Sequence, residues 1–480
     1  MGGGAIRLDF AGAVSIDGTV SALPTEKSAW QCGGTGGSIN IHCLTLSGRG
    51  KVLADAQSKD VQKTYAGSSS GGRIAIHYDV TAQEGVDCFV RLSANGGISG
   101  WDYKDRLSEP GTIWLPDAQL VKSPLVHCGR FVFPSLTRLD FDSLDVPGRV
   151  WWPKGIVLNV AGDLNVVSSN VYVKGMRFDG GELNVGGNVR VAGATLRLGN
   201  GCDANIGGNL VQDDSTIPGE KTTALFSRVY FQAGPTNGTD GATLGQVVRI
   251  GETFSVASGS TAYFHSQYTN GAISKVVAKN VVLSQGASFN ADRGGWGPAK
   301  GPGAGNRVEG GKMKSASHGG HGGAFAESLL TQTYGDMKHP LTPGSGAGSE
   351  VEGGGAIYVE VSGTMTLNGK VSADATKKPT TWQGAAAGGS VLLDVYKLRG
   401  ETGLISANGS ASDATDKNTG RPGGGGRVAI WTWVNNLSDA VREAVTANAG
   451  VAKNPIADEI PAEDGTVYWG AHKGLMLFVK

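Results

Sequence analysis

Short runs in which apolar and polar residues alternate recur along the whole chain, and glycines bound them. Gly71-Gly72-Arg73-Ile74-Ala75-Ile76, Leu158-Asn159-Val160 and Leu183-Asn184-Val185 are examples. Alternation with a period of two predicts half-buried strands. Helical periodicity is scarce: Ser438 to Ala444 could form two turns within a loop, and less than about a tenth of the residues is expected in helix, against a globular norm of about a third. A strand that cannot bury its apolar face alone must stack on a like strand, which is the solenoid solution.

The runs are ordered into a duplication. Gly2-Gly3-Gly4-Ala5-Ile6 opens a stretch ending Ile16-Asp17-Gly18-Thr19-Val20-Ser21-Ala22, and Gly353-Gly354-Gly355-Ala356-Ile357 opens one ending Leu367-Asn368-Gly369-Lys370-Val371-Ser372-Ala373. The match continues through Trp30-Gln31 and Trp382-Gln383, then Gly36-Gly37-Ser38-Ile39 and Gly388-Gly389-Ser390-Val391. It runs on through Gly71–Ile76 and Gly425–Ile430 to Gly111-Thr112-Ile113-Trp114 and Gly465-Thr466-Val467-Tyr468. Between the copies, Leu158–Leu164, Leu183–Val189 and Ala204–Leu210 repeat a Leu-Asn-Val-type phrase at the spacing of one solenoid coil.

These patterns predict an all-β fold, a right-handed parallel β-helix (β-solenoid) with a duplicated glycine-rich unit and long loop insertions. Three segments are expected: a first glycine-rich unit at 1–119, Asn/Gly-turn coils at 120–280, and a second glycine-rich unit at 281–480 carrying a loop insertion at 291–352. The glycines are expected to supply backbone with φ > 0 and to let neighbouring coils approach at corners. The repeated asparagines are expected to form amide ladders at the turns. Residues 1–10 read as an inner coil with no polar cap, so the chain is expected to be a piece of a longer protein, or to have its first coil covered by another subunit or another part of the chain.

Composition narrows the classes. The 78 glycines follow no Gly-X-Y period, which excludes collagen, and 39% hydrophobic residues argue against disorder. Lys+Arg and Asp+Glu are equal at 42 each, so no basic stripe points to nucleic acid, and near-neutral charge suits a protein that associates with itself or with neighbouring coils. No run is long enough to span a membrane, and no signal peptide precedes the first glycines. The five cysteines, Cys32, Cys43, Cys88, Cys128 and Cys202, lack zinc spacing; the odd number leaves at least one free thiol, and burial as small apolar residues is expected.

The recurring Gly-Gly-Arg-Ile/Val-Ala-Ile and Leu/Ile-Ser-Ala-Asn-Gly phrases resemble the glycine-rich β-helix repeats of large bacterial surface and secreted proteins, which share the pectate-lyase-like β-helix architecture. The resemblance covers roughly three quarters of the chain by the repeat criterion. It implies an extracellular or cell-surface location. Adhesins, autotransporter passengers and polysaccharide lyases all use this scaffold, so it does not select an activity.

Candidate chemistry lies in 291–352, the one long departure from the strand rhythm. It holds His318, His321, Tyr334, Asp336 and His339, which could supply an acid or base for polysaccharide chemistry. His318, His321 and Asp336 could hold a metal, but His-Gly-Gly-His lacks helical zinc-site spacing, so no metal site is assigned. The same residues also fit a packed glycine loop whose side chains satisfy backbone groups.

Gly199-Asn200-Gly201-Cys202-Asp203 resembles half of a calcium nonapeptide, yet it lacks tandem copies and reads as a turn. No cofactor is expected; calcium is the one ion left open. Gly67-Ser68-Ser69-Ser70-Gly71 lacks the strand–turn–helix setting of a nucleophile elbow, and Gly344–Gly348 is not a dinucleotide loop. Trp151, Trp152, Trp296, Trp431 and Trp433 are candidates to stack on sugar rings, with core packing as the alternative. Two functions follow: an extracellular structural or adhesive protein binding a polysaccharide or cell-surface glycan, or a carbohydrate-active β-helix enzyme, a lyase or glycoside hydrolase. A carboxylate pair on neighbouring coils would favour the second.

Overall fold

The computed structural model of the chain describes residues 1–25, 33–57, 69–97, 108–167, 175–213, 227–235, 244–306, 313–376, 384–413, 420–454 and 459–472. Trp30-Gln31, Trp382-Gln383, Cys32, Gly67-Ser68 and 307–312 lie outside these residues. The protein is all-β, 44% strand and 2% helix, with long parallel sheets consistent with a β-solenoid. Among the described residues the one α-helix is Asp439–Glu443, inside the predicted Ser438–Ala444 segment, and the Ser438 hydroxyl caps it by accepting from Val441 N.

The chain forms two compact units, one built on Met1–Arg197 and one on Leu198–Asp214 with Phe226–Lys480. The 120–280 segment is divided between them. Its strands Gly129–Val132 and Arg149–Trp151 continue the pairing begun by Thr112–Trp114 and so belong with the first unit.

In the first unit Ala5–Asp9, Ser38–His42, Arg73–His77 and Thr112–Trp114 pair in parallel, each on the next pass of the chain. Their inward positions align: Ile39, Ile74 and Ile113 are all buried. Phe131, Trp152 and Phe178 follow as a stack, with ring centroids 5.5 and 6.2 Å apart. A second row of short strands, Thr19–Ser21, Lys51–Leu53 and Arg91–Ser93, pairs in the same order.

The second unit repeats this plan with longer strands. Leu244–Val256, Ile273–Leu283, Ala356–Leu367, Ser390–Gly400, Arg427–Leu437 and Thr466–Ala471 form one parallel sheet. Thr261–His265, Ser288–Asn290, Lys370–Ser372, Leu404–Ser406 and Val445–Thr446 form another. Val359, Leu393 and Ile430 of the first sheet, and Phe289, Val371 and Ile405 of the second, are fully buried. Burying each such side chain stabilises the fold by about 1.5–3 kcal/mol.

The glycine pairs preceding the strands stand in columns. A Cβ on Gly37, Gly72 or Gly111 would collide with the carbonyl oxygen of Gly4, Gly37 or Gly72; the same holds for Gly389, Gly426 and Gly465 against Gly355, Gly389 and Gly426. Those carbonyls accept from the first strand residue of the next pass, as in Arg73 N→Gly37 O, 2.8 Å, and Arg427 N→Gly389 O, 2.9 Å. Positive φ is found at other glycines, such as Gly48 and Gly201, and not in these columns. The expectation that this phrase supplies left-handed backbone is therefore corrected. Close approach of neighbouring backbones is what excludes a side chain there.

The Ser-Ala-Asn-Gly phrase also acquires a cause. The side chain of Asp55 accepts from the backbone of Asn95 (2.6 Å), Asp292 from Asp374 (2.8 Å), Asp374 from Asn408 (2.7 Å) and Asn408 from Asn448 (2.7 Å). Each pass thus satisfies a backbone N–H on a later one. An amide ladder runs along a strand face, where Asn184 Nδ2 donates to Asn159 Oδ1 (3.0 Å) and Asn159 Nδ2 to Asp140 Oδ1 (2.7 Å), and a turn carries the same kind of contact, Asn188 Nδ2 to Asp163 Oδ1 (3.2 Å). Cys43, Cys88, Cys128 and Cys202 are buried thiols.

Candidate functional site

The 291–352 segment, over its described residues, is a packed layer. Trp296 is buried, with its indole against Gly271 and Gly301. The His318 side chain is wholly covered; Nδ1 lies 2.8 Å from Gly388 O and Nε2 3.1 Å from Thr342 Oγ1. A carbonyl only accepts, so Nδ1 carries the proton and Nε2 accepts from the threonine hydroxyl. Burial pushes this imidazole down to about 3, and the Arg427 guanidinium adds to the effect. It is a neutral packing histidine.

Tyr334 meets His318 with ring centroids 4.7 Å apart, and its hydroxyl donates to Pro343 O at 2.7 Å. Burial holds that phenol above its ordinary range. Arg427 closes the assembly, its Nε donating to Tyr334 O (2.9 Å) and its Nη1 to Thr466 Oγ1 (3.1 Å). His321 turns elsewhere, Nδ1 donating to Thr331 O at 2.7 Å. Asp336 is exposed and accepts from the backbones of Lys338 (2.6 Å) and His339 (2.7 Å), which hold its carboxyl below the usual range. The structure thus brings His318 and Tyr334 together, while His321 and Asp336 each serve a different local turn. Among the described residues no three His, Cys, Asp or Glu side chains converge as a metal site would require. In the Gly199–Asp203 turn, Asp203 Oδ1 accepts from Val247 N at 2.6 Å.

His339 leads to a different surface. Its ring stacks on Trp431 at 5.3 Å and 21°. Trp431 projects from the outer face of Arg427–Leu437, and its Nε1 donates to Lys338 O (2.7 Å), which fixes the indole plane. It also packs on Tyr468 (5.3 Å) and His472 (5.5 Å). A Cβ on Gly470 would strike its rings, so the glycine makes room for it. Trp433, two residues on and 41% exposed, stacks on His472 at 5.5 Å and lies 6.5 Å from Tyr396.

Strand register places carboxylates in this aromatic face. Glu360, Asp394 and Trp431 are successive partners across Ala356–Leu367, Ser390–Gly400 and Arg427–Leu437. Asp394 Oδ1 lies 2.7 Å from His472 Nε2, and Glu360 Oε2 lies 2.6 Å from Lys275 Nζ. That ammonium sits over the Tyr358 ring at 4.7 Å. Burial opposes the Lys275 charge, but the Glu360 and Tyr358 hydrogen bonds prevail and hold its pKa above the ordinary value. Aromatic faces beside hydrogen-bonding carboxylates can bind a flat, hydroxylated ligand: the rings cover its apolar face while the carboxylates accept from its donors.

The other tryptophans sit differently. Trp152 is buried in the aromatic stack of the first unit. Trp151 is half-buried between the guanidinium groups of Arg130 and Arg177, at 4.9 and 4.4 Å. Tyr358, Glu360, Asp394, Tyr396, Tyr468 and His472 did not emerge from the sequence as site residues. Reading outward positions across the aligned duplicates would have found Tyr358, Glu360 and Asp394, because alternation assigns them to one face.

Among the described residues no helix is long and apolar enough to cross a membrane. Comparison with family models, curated proteins and solved structures returned no match.

Proposed function

We propose that the chain is an extracellular, structural or adhesive glycan-binding protein, a right-handed parallel β-helix that presents Trp431, Trp433, Tyr396 and Asp394 to a polysaccharide. The handedness follows from the general rule that parallel strands in one sheet are joined by right-handed crossovers. The observation that carries the binding reading is the exposed row of rings with carboxylates in register beside it. Sugar rings offer C–H faces to aromatic planes and hydroxyl donors to carboxylates, so both halves of the surface have a use. Affinity electrophoresis through gels containing neutral, acidic or basic polysaccharides tests it. At least one polysaccharide should retard the protein, and Trp431→Ala and Trp433→Ala should abolish retardation while the purified variants remain folded. No retardation in any gel overturns the reading.

A second reading, a glycoside hydrolase, draws on the register partnership of Glu360 and Asp394. Neighbouring strands stand about 4.8 Å apart, close to the carboxylate separation of retaining enzymes, roughly 5 Å. Each carboxylate is engaged by Lys275 or His472, which favours binding over catalysis. Reducing ends released from the same polysaccharides, and lost in Glu360→Gln, would establish hydrolysis instead.

A further inference from the structure

We infer that the glycan taken by this face carries protonated amines, as in a polymer of 2-amino-2-deoxy sugars, and that Asp394 receives the ammonium; this rests on the glycan-binding reading above. The face contains its own template for such a contact. Lys275 places a primary ammonium 2.6 Å from the Glu360 carboxylate and 4.7 Å from the Tyr358 ring centroid. The next pass of the sheet keeps the carboxylate and rearranges the rings: Asp394 is the register partner of Glu360, the partner of Tyr358 is Leu392, Tyr396 follows Asp394 by two residues on the same strand, and Trp431 is the partner of Asp394 on the following strand. Its nitrogen donor is an imidazole in place of a lysine. His472 Nε2 hydrogen-bonds Asp394 Oδ1 at 2.7 Å, so the imidazole engages one carboxylate oxygen.

The other charges on this face do not fill that role. Lys338 lies over Tyr468 at 5.6 Å, so its ammonium is placed on a ring. Asp336 spends its Oδ1 on the Lys338 and His339 backbones. Asp394 is 37% exposed beside aromatic faces, which attract cations as well as C–H surfaces. A sugar ammonium approaching Asp394 would meet a charge-assisted acceptor and π-faces together, while the acetamide of an N-acetylated sugar offers no charge. Neutral sugars would use the rings alone.

Titration calorimetry with chitosan-type glucosamine oligomers and N-acetylglucosamine oligomers of equal length, where the amines are protonated, tests the assignment. The amino oligomer should bind at least tenfold more tightly than the acetylated one, and Asp394→Asn should erase the difference, because asparagine keeps an acceptor for His472 but loses the charge. Equal affinities, or binding of other glycans with neither oligomer bound, overturn the amine inference and leave the glycan-binding reading standing. A preference that survives Asp394→Asn overturns the role of Asp394. Failure of every glycan to bind overturns the underlying reading itself.

Discussion

The two copies of the glycine phrase share a backbone and differ on their outer faces. Ser38–His42 and Arg73–His77 in the first unit, and Ser390–Gly400 and Arg427–Leu437 in the second, start from equivalent glycines and pair in the same order. In the first copy the outward row runs Asp9, His42, His77, and the two imidazoles stack at 4.1 Å with Trp114 4.4 Å from His77. The equivalent row in the second copy is Glu360, Asp394, Trp431. Arg73 is exposed, whereas its counterpart Arg427 is buried beneath the 334–342 stretch. Glycine columns and inward aliphatics therefore specify the scaffold, and the outward positions carry what distinguishes the copies.

The largest test of that division attacks what the copies share. Gly72→Val and its counterpart Gly426→Val should each destabilise their unit by about 3 kcal/mol or more, because the new side chain meets backbone that cannot swing away. Chemical denaturation measures this; tolerance in one copy alone would break the claimed equivalence.

Next comes the inserted layer packed on the second copy. His318→Ala should cost about 3 kcal/mol through its cavity and the broken bonds to Gly388 and Thr342, and hydrogen exchange should rise around Tyr334 and Arg427. Unchanged stability with lost ligand binding would instead make His318 a binding residue.

The same histidine sets a pH dependence. Its folded pKa of about 3 lies below the unfolded value, near 6.5, so the unfolded chain binds more protons between them. Its contribution is fully present above about pH 6.5 and is lost as the pH falls towards 3. His127 of the first unit is likewise buried and pushed down by burial, accepting from Leu92 N and donating to Leu120 O. Denaturation curves between pH 7 and 4 should show both units weakening on acidification, and His318→Gln should flatten the slope for the second unit alone.

The smallest effect concerns the side-chain relay. Burial raises the Asp374 carboxyl, with Asp292 adding to it, so its ionisation opposes folding as pH rises through its titration. Asn408 and Asn448 occupy the equivalent places, and Asp374→Asn keeps the acceptor for Asn408 N. A gain of roughly 0.5–1 kcal/mol at neutral pH is expected by denaturation, and a loss would show that the charge is needed beside Lys370.

Much of this was readable from sequence. Alternation located the strands, and the duplicated phrases anticipated equivalent pairing. The alternation of Leu158, Asn159 and Val160 marks Asn159 as an outward strand position, which is where one of the amide ladders runs. The histidine loop was singled out by composition, but burial, which composition does not express, makes His318 a packing residue. The aromatic and carboxylate face escaped for another reason. Glu360, Asp394 and Trp431 become neighbours through register between passes more than thirty residues apart, and His472 reaches them from just beyond the end of Thr466–Ala471.

The parallel pairing also explains why so long an insertion is tolerated. Lys370 pairs with Leu404, 34 residues away, while Ser288 pairs with Lys370 across 82 residues that include the inserted layer. Loop-closure entropy grows only with the logarithm of length, so this wider return costs about 0.8 kcal/mol more than an ordinary pass. A chain that already returns over some thirty residues at every step is little burdened by one longer excursion, and a single buried aliphatic side chain offsets the difference. New surface can therefore be spliced between strands at the corners of such a fold with little thermodynamic resistance, provided the inserted segment packs.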